Sequence, residues 1–135
     1  MYCFDTDVLS NVLRRDPPLG LIRRLASIPA DEQFTTAITL GELLYGAARR
    51  GSPALAERVH DLVGSLVAIL AFDEQAAEHY GRLRAKLESD GKRLAEPDLR
   101  IAAIALANNL MLVSGNVRHF SRVDGLRLEN WLAPE

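Results

Sequence analysis

The sequence contains little cysteine and no long apolar run, and each absence excludes a class of protein. The only cysteine, Cys3, has no partner for an internal disulfide, and its place in an apolar stretch predicts a buried side chain and a reducing compartment. No stretch approaches the ~18 continuous apolar residues of a membrane span. The N-terminus also lacks a basic segment followed by an apolar signal core. We therefore expect a protein of the cytoplasm.

Lysine is scarce, and the chain carries no excess of positive charge. The formal net charge is −2, with 14 arginines against 2 lysines. This balance excludes a general basic field that would draw the whole chain to nucleic acid or to anionic lipid. Arginine is the residue best suited to bidentate phosphate contacts. Any contact with nucleic acid is therefore expected to be local and led by arginine.

The composition is that of an ordinary globular domain. Hydrophobic residues make up 48% of the 135 residues and charged residues 25%, which argues against disorder. A chain of this length removes roughly two thirds of its unfolded surface from water when it folds. No internal repeat or low-complexity segment is visible. We expect residues 1–135 to form a single domain.

Apolar periodicity predicts strands that alternate with helices along the chain. The predicted strands are residues 1–4, 33–37, 67–72 (a buried strand), 110–113 and an edge strand at 126–131. The predicted helices are residues 8–15, 19–28, 38–50, 54–66, 73–90 and 99–108. Such alternation is typical of an α/β fold with a mainly parallel central sheet of four to five strands flanked by helices.

The first nine residues carry the strongest functional signal. Asp5 and Asp7 directly follow the first predicted strand, and an apolar run with helical spacing comes next. In an open parallel sheet the carboxyl ends of the strands border the ligand crevice, so an acid there favours metal binding. The alternative is that one of the two acids caps the following helix. We regard that structural role as more probable for Asp7 than for Asp5.

Three further polar residues lie on predicted helices or at the end of a predicted strand. Glu42 lies among apolar neighbours on a predicted helix, so it reaches water, pairs with an arginine or holds a cation. Asp98 lies in the first turn of another helix, where the helix dipole alone would favour a carboxylate. Asn116 follows the fourth strand. Each residue taken alone has an ordinary structural explanation.

Together these residues predict a metal site. Parallel strands would bring Asp5, Glu42, Asp98 and Asn116 to one edge of the sheet. Clustered carboxylates repel one another in a cleft of low dielectric constant, and a hard divalent cation makes such a cluster stable. Oxygen ligands without a Cys or His cluster indicate Mg²⁺ or Mn²⁺. These ions catalyse phosphodiester hydrolysis by polarising the phosphate, activating water and stabilising the leaving oxygen.

Four motifs follow one another along the chain, residues 4–10 (FDTDVLS), 39–46 (TLGELLYG), 97–105 (PDLRIAAIA) and 112–120 (LVSGNVRHF), and residues 126–131 (LRLENW) lie near its end. Together they resemble the PIN-domain ribonucleases, and more narrowly the VapC-type toxins of bacterial toxin–antitoxin pairs. The resemblance covers essentially the whole chain. It implies a PIN-like fold and a Mg²⁺- or Mn²⁺-dependent endoribonuclease that cuts tRNA, rRNA or mRNA. It also implies a cognate antitoxin that covers the active site, and a homodimer.

The resemblance also assigns roles to individual residues. Asp5, Glu42 and Asp98 match the acidic metal ligands of the family. Asn116 matches a catalytic position where many members carry a fourth acid, so one well-held metal ion is expected here rather than two. Asp7 stands where asparagine is common. Thr6 and Ser114 match small hydroxyl positions that would hydrogen-bond the ligands.

Other interpretations of the same residues remain open. Asp5-Thr6-Asp7 also fits the nucleophile motif of haloacid dehalogenase-type phosphatases, but no lysine follows Ser114. A receiver domain, with Asp73 after the third strand, likewise requires a lysine near its last strand. The chain could instead bind a partner without catalysis. Three further residues are candidates for contact with the RNA backbone, although a plain surface position is the favoured interpretation of each: Arg100, Arg118 and His119.

Overall fold

The structure is a computed structural model that describes residues 1–133; the last two residues of the predicted domain lie outside this range. Its strands are β1 (Tyr2–Phe4), β2 (Gln33–Thr36), β3 (Ala68–Leu70), β4 (Met111–Val113) and β5 (Leu128–Glu129). Its helices are α1 (Thr6–Val12), α2 (Leu19–Ser27), α3 (Ala37–Arg49), α4 (Pro53–Gly64), α5 (Glu74–Ser89), α6 (Glu96–Ala107) and α7 (Val117–Phe120). A single 3₁₀ turn, Ala30–Glu32, precedes β2.

The strands form one parallel sheet in the order β3-β2-β1-β4-β5. All four pairings are parallel, and Cys3 of β1 lies between Phe34 of β2 and Leu112 of β4. The predicted α/β class, with a sheet of four to five strands flanked by helices, is confirmed. Because the chain adds strands first on one side of β1 and then on the other, the order reverses at β1. Ligands of such sheets bind at this reversal, beyond the carboxyl ends of the strands.

Alternating side chains of the central strands supply two hydrophobic cores. Cys3 and Leu112 point to the face covered by α5, α6 and α7. Phe4 and Val113 point to the face covered by α1, α2, α3 and α4. Cys3 is fully buried, as predicted, and burial together with the nearby Asp5 charge raises its thiol pKa to about 12. The thiol is therefore a packing group.

The interior of α6 is buried on every side, as its composition predicted. Five consecutive residues, Ile101, Ala102, Ala103, Ile104 and Ala105, have no exposed surface. Small side chains let the helix approach both the sheet and α5, which fixes its first turn and Asp98 relative to β1. No helix within residues 1–133 is long and apolar enough to cross a membrane.

Two predictions about elements are wrong. The apolar run at residues 67–72 is not a buried strand, because β3 lies at the edge of the sheet with Val67 and Ile69 48% and 44% exposed. An apolar run does not distinguish an edge strand from a central one. The first helix begins at Thr6 rather than at residue 8 and ends at Val12 rather than at residue 15. The short helix α7 was not predicted.

Candidate active site

Asp5 is fixed at the point where β1 passes into α1. Its backbone N–H donates to Val113 (3.0 Å), which extends the pairing of β1 with β4 by one residue. Its carboxylate is held at both oxygens: Oδ1 accepts from the Thr6 N–H (2.8 Å) and Oδ2 from the Ser114 hydroxyl (2.7 Å). Asp5 is therefore the N-cap of α1, and the expectation that Asp7 is the more probable cap is wrong.

Burial makes the Asp5 carboxylate unusually basic. The side chain is only 5% exposed, and desolvation is the main reason that its pKa rises to about 7. The negative charges of Asp7 and Asp98 raise the pKa further, while the hydrogen bonds from Ser114 and Thr6 oppose the rise. A buried carboxylate with acidic neighbours is stable in its charged form only when a cation compensates it.

Asp7 carries an oxygen that nothing in the described chain satisfies. Its Oδ2 accepts from the backbone N–H of Gly115 (2.9 Å). Its Oδ1 is buried and has no hydrogen-bond partner among residues 1–133. Burial raises the pKa of this carboxyl group as well. An orphaned acidic oxygen beside Asp5 requires an explanation, and a bound cation provides one.

Glu42 reaches the site from α3 and is held by a threonine. The Thr6 hydroxyl donates to its Oε1 (2.6 Å), and the Thr39 hydroxyl lies 3.5 Å from that of Thr6. Thr39 is fully buried and bonded to the N-cap residue Thr36 (3.1 Å). Glu42 is half-buried and forms no ion pair within residues 1–133. Of the three roles considered for it, pairing with an arginine is therefore not observed.

Asp98, Asn116 and His119 form a chain of contacts on the other side of Asp5. The Asn116 amide donates to Asp98 Oδ2 (3.3 Å), and its Oδ1 lies 2.6 Å from His119 Nδ1. Burial, followed by the charge of Glu42, raises the pKa of Asp98, and His119 partly opposes the rise. The structure thus brings all four predicted residues, Asp5, Glu42, Asp98 and Asn116, to one end of the sheet.

The donor set fits a hydrated divalent cation better than a closed metal cage. Within residues 1–133, no group of three His, Cys, Asp or Glu side chains is arranged to hold a metal ion by itself. Mg²⁺ usually keeps several waters and binds through one or two carboxylates. The basic Asp5 carboxylate and the orphaned Asp7 oxygen meet that requirement. Of the predicted ligands, Asp5 and Asp98 would hold the ion and Glu42 would bind it or a coordinated water, with the orphaned Asp7 oxygen beside them.

Some contacts at the site were not predicted from the sequence. Thr39 was not singled out, although its spacing from Thr36 is that of an N-cap pair. His119 was considered only as a contact for the RNA backbone, yet it bonds Asn116 three residues earlier. Arg100 pairs with Glu96 on the surface of α6 (3.3 Å), and Arg118 is exposed.

Gly115 gives a direct test of how tightly the site is packed. A Cβ at this position would lie 2.9 Å from Asp7 Oδ2 and 2.9 Å from Leu132 Cδ1. Gly115→Ala is therefore expected to displace the Asp7 carboxylate and to lower the free energy of unfolding by about 1–3 kcal/mol. Urea unfolding measures this change.

The matched control is Gly81→Ala in the middle of α5. A Cβ at this position meets no atom within 4 Å. This variant is expected to gain up to about 1 kcal/mol, because alanine favours the helix more than glycine does. Equal stabilisation by both substitutions would show that the loop around Gly115 has room for a Cβ atom, which contradicts the close packing against Asp7.

Comparisons with known proteins agree with the fold. The sequence model of the family described as PIN domain matches residues 2–126. Ribonuclease VapC2 of Haemophilus influenzae is 37% identical over 131 residues, which cover 97% of this chain and 98% of the relative. The tRNA(fMet)-specific endonuclease VapC of Shigella flexneri is 31% identical, with coverages of 96% and 97%.

A solved structure agrees as well. VapBC-1 from nontypeable Haemophilus influenzae has a chain that superposes with a TM-score of 0.86 at 28% identity, covering 98% of both chains. The five-stranded parallel sheet is thus that of a PIN domain, and the chain belongs to that family. Within the family it is a ribonuclease of the VapC type. These matches favour the nuclease over the phosphatase and receiver alternatives.

Proposed function

We propose that this VapC-type ribonuclease is an endonuclease that requires Mg²⁺ or Mn²⁺ and acts as the toxin of a toxin–antitoxin pair. The observation that carries the metal requirement is the buried Asp5 carboxylate, whose pKa of about 7 reflects desolvation and acidic neighbours. The buried oxygen of Asp7 without a partner supports the same conclusion. Both groups are costly to the fold unless a cation is present.

Each residue of the site has a defined task in this proposal. A bound divalent cation would polarise the scissile phosphate, activate water and stabilise the leaving oxygen. Asp5 and Asp98 hold the ion, and Glu42 binds it or orients a water. The Ser114 hydroxyl and the Thr6 side chain keep Asp5 and Glu42 in position. The Asn116 amide orients Asp98 without adding charge.

One well-held ion is proposed, because Asn116 replaces a fourth acid. Asn116→Asp would place a second carboxylate about 3.3 Å from Asp98, at the distance now spanned by the amide hydrogen bond. Two carboxylates this close together favour a bound cation more strongly than the present pair of a carboxylate and an amide does. We expect Mn²⁺ to bind at least about tenfold more tightly to this variant, a change of about 1.4 kcal/mol. Calorimetric titration with Mn²⁺ measures affinity and stoichiometry, and an unchanged affinity would contradict this role for Asn116.

RNA and an antitoxin protein are the proposed partners. VapBC is a family of toxin–antitoxin systems, and relatives of this chain occur in VapBC structures. The name of the Shigella relative makes tRNA the first substrate to test. Both partners would be met in the cytoplasm. The antitoxin is expected to cover the carboxylate cleft and to suppress cleavage when it is added in equal amount.

We also propose a homodimer. Tyr45 on α3 is 65% exposed, and two further apolar side chains are exposed at the sheet edge, Ile69 on β3 and Val67 just before it. Exposed large apolar side chains are candidates for burial in an interface. Analytical ultracentrifugation tests this proposal. A monomer at micromolar concentration, with no change in Val67→Ser, would contradict it.

The experiment for the main proposal uses the purified chain without antitoxin and total tRNA as substrate. With Mg²⁺ we expect discrete fragments, and Asp98→Asn is expected to produce none. The matched control is Asp90→Asn, which removes an acid that pairs with Lys86 on the surface of α5 (3.3 Å), outside the carboxylate site. Equal cleavage by wild type and Asp98→Asn would contradict the assignment.

A further inference from the structure

Two clefts flank the carboxylates, and each contains a pair of arginines. The first, here called the Glu42 cleft, is lined by Thr6, Glu42, Arg14 and Arg50. The second, here called the Asp98 cleft, is lined by Asp98, Asn116, His119, Arg93 and Arg122. One cleft therefore begins at the α3 side of the site and the other at the α6 and α7 side.

The arginines of both clefts are available for an external anion. Within residues 1–133, none of Arg14, Arg50, Arg93 and Arg122 forms an ion pair. By contrast, Arg84 pairs with Glu88 at 3.0 Å on the surface of α5. Each cleft contains a single acid, Glu42 or Asp98, and that acid belongs to the active site. Away from that acid, each cleft has an excess of positive charge.

Two of these guanidinium groups are held in place by neutral partners. Arg14 donates to the Asn11 side chain (3.2 Å). Arg122 is half-buried and donates to the backbone carbonyl of Arg93. These bonds orient the groups without neutralising them, and an oriented guanidinium loses less freedom when it binds a phosphate.

We propose that a single RNA strand crosses the carboxylates from one cleft to the other, with backbone phosphates on either side of the cut bound by Arg14 and Arg50 and by Arg93 and Arg122. The inference rests on the proposed ribonuclease function and adds the path of the substrate. It also explains how a chain with a net charge of −2 binds a polyanion, since the positive charge lies beside the site of cleavage. Phosphate contacts of this kind position the strand without selecting its sequence.

The test is the binding of a fluorescent single-stranded RNA to the wild-type chain in EDTA, followed by anisotropy at several salt concentrations. The variants are Arg14→Gln and Arg122→Gln, one from each cleft. Each is expected to weaken binding about tenfold, as for one lost charge-assisted contact, and to reduce the salt slope by about 0.7. Because the assay needs no catalysis, it stays informative even if the chain cleaves nothing.

The matched control is Arg23→Gln, an exposed arginine on α2 that forms no ion pair within residues 1–133 and belongs to neither cleft. It is expected to bind as the wild type does. Arg122→Lys keeps the charge and is expected to restore most of the salt slope, which separates charge from folding. Unchanged binding in both glutamine variants, or loss in only one cleft, would overturn the two-sided path. Loss of antitoxin binding with unchanged RNA binding would assign the clefts to the antitoxin and also overturn it.

Discussion

Asp5→Asn is expected to abolish RNA cleavage and, in the same protein, to raise stability at alkaline pH in the absence of metal. In the proposed mechanism, cleavage falls because the amide cannot replace the charge that would hold the cation. Losing several kcal/mol of transition-state stabilisation lowers the rate by about 10³-fold or more. Stability rises because the ionised Asp5 is buried beside other acids. A pKa of about 7 instead of 3.8 corresponds to about 4 kcal/mol of destabilisation above pH 7.

The matched control for this variant is the same substitution at another helix N-cap. Asp73 caps α5 by accepting from the Ala76 N–H (2.9 Å) and is exposed. Asp73→Asn is expected to change neither activity nor stability appreciably, because asparagine and aspartate are comparable N-caps. Urea unfolding at pH 8 in EDTA gives the stability of both variants. A less stable Asp5→Asn protein would show that Asp5 serves the fold rather than the cation.

The effect of metal on the free energy of unfolding is expected to depend on pH. Without metal, the folded chain binds a proton at Asp5 more tightly than the unfolded chain does. The free energy of unfolding therefore falls as pH rises from about 4 to the folded pKa of about 7, and the loss is complete above it. Raised pKa values at Asp7 and Asp98 act in the same direction. The cation binds the ionised carboxylates, so it reverses this loss at pH 8 and has little effect at pH 5.

The measurement is urea unfolding at both pH values with Mg²⁺ and with EDTA. At 100 times the dissociation constant, Mg²⁺ is expected to add about 3 kcal/mol at pH 8. Asp5→Asn serves as the internal control, since it should lose most of the pH dependence and most of the metal effect and keep only the smaller part due to Asp7 and Asp98. Equal stabilisation by Mg²⁺ at pH 5 and pH 8 would contradict binding at these carboxylates.

The parts of the fold that follow from periodicity were predictable. Gly91, with a φ of 67°, ends α5 by local chemistry, and α2 and α5 have nearly the predicted bounds. The prolines at residues 17 and 18 do not end α1, which stops at Val12. The place of β3 at the sheet edge was not predictable, because strand order depends on pairing between distant residues. Helix α7 spans only four residues, too few for a periodic signal.

Some contacts of the candidate site could likewise be predicted from the sequence, and others could not. The meeting of Asp5 with Ser114 follows from a general rule, since adjacent parallel strands end at the same edge of a sheet. The contact of Asp7 with Gly115 depends on how closely the loop after β4 approaches the first turn of α1, which the sequence does not encode locally. The basicity of Asp5 depends on burial, which appears only when the layers are assembled.

The most direct test of a metal-dependent hydrolytic site is the chemistry of the RNA ends that the chain produces. Water that attacks the phosphate in line with the 3′ oxygen leaves 3′-hydroxyl and 5′-phosphate ends, and in the proposed mechanism the attack would require the cation. We expect these ends with Mg²⁺ or Mn²⁺, none in EDTA, and none from Asp98→Asn purified in the same way. Cleavage that persists in EDTA and leaves 2′,3′-cyclic phosphates would contradict the carboxylate site as the source of activity.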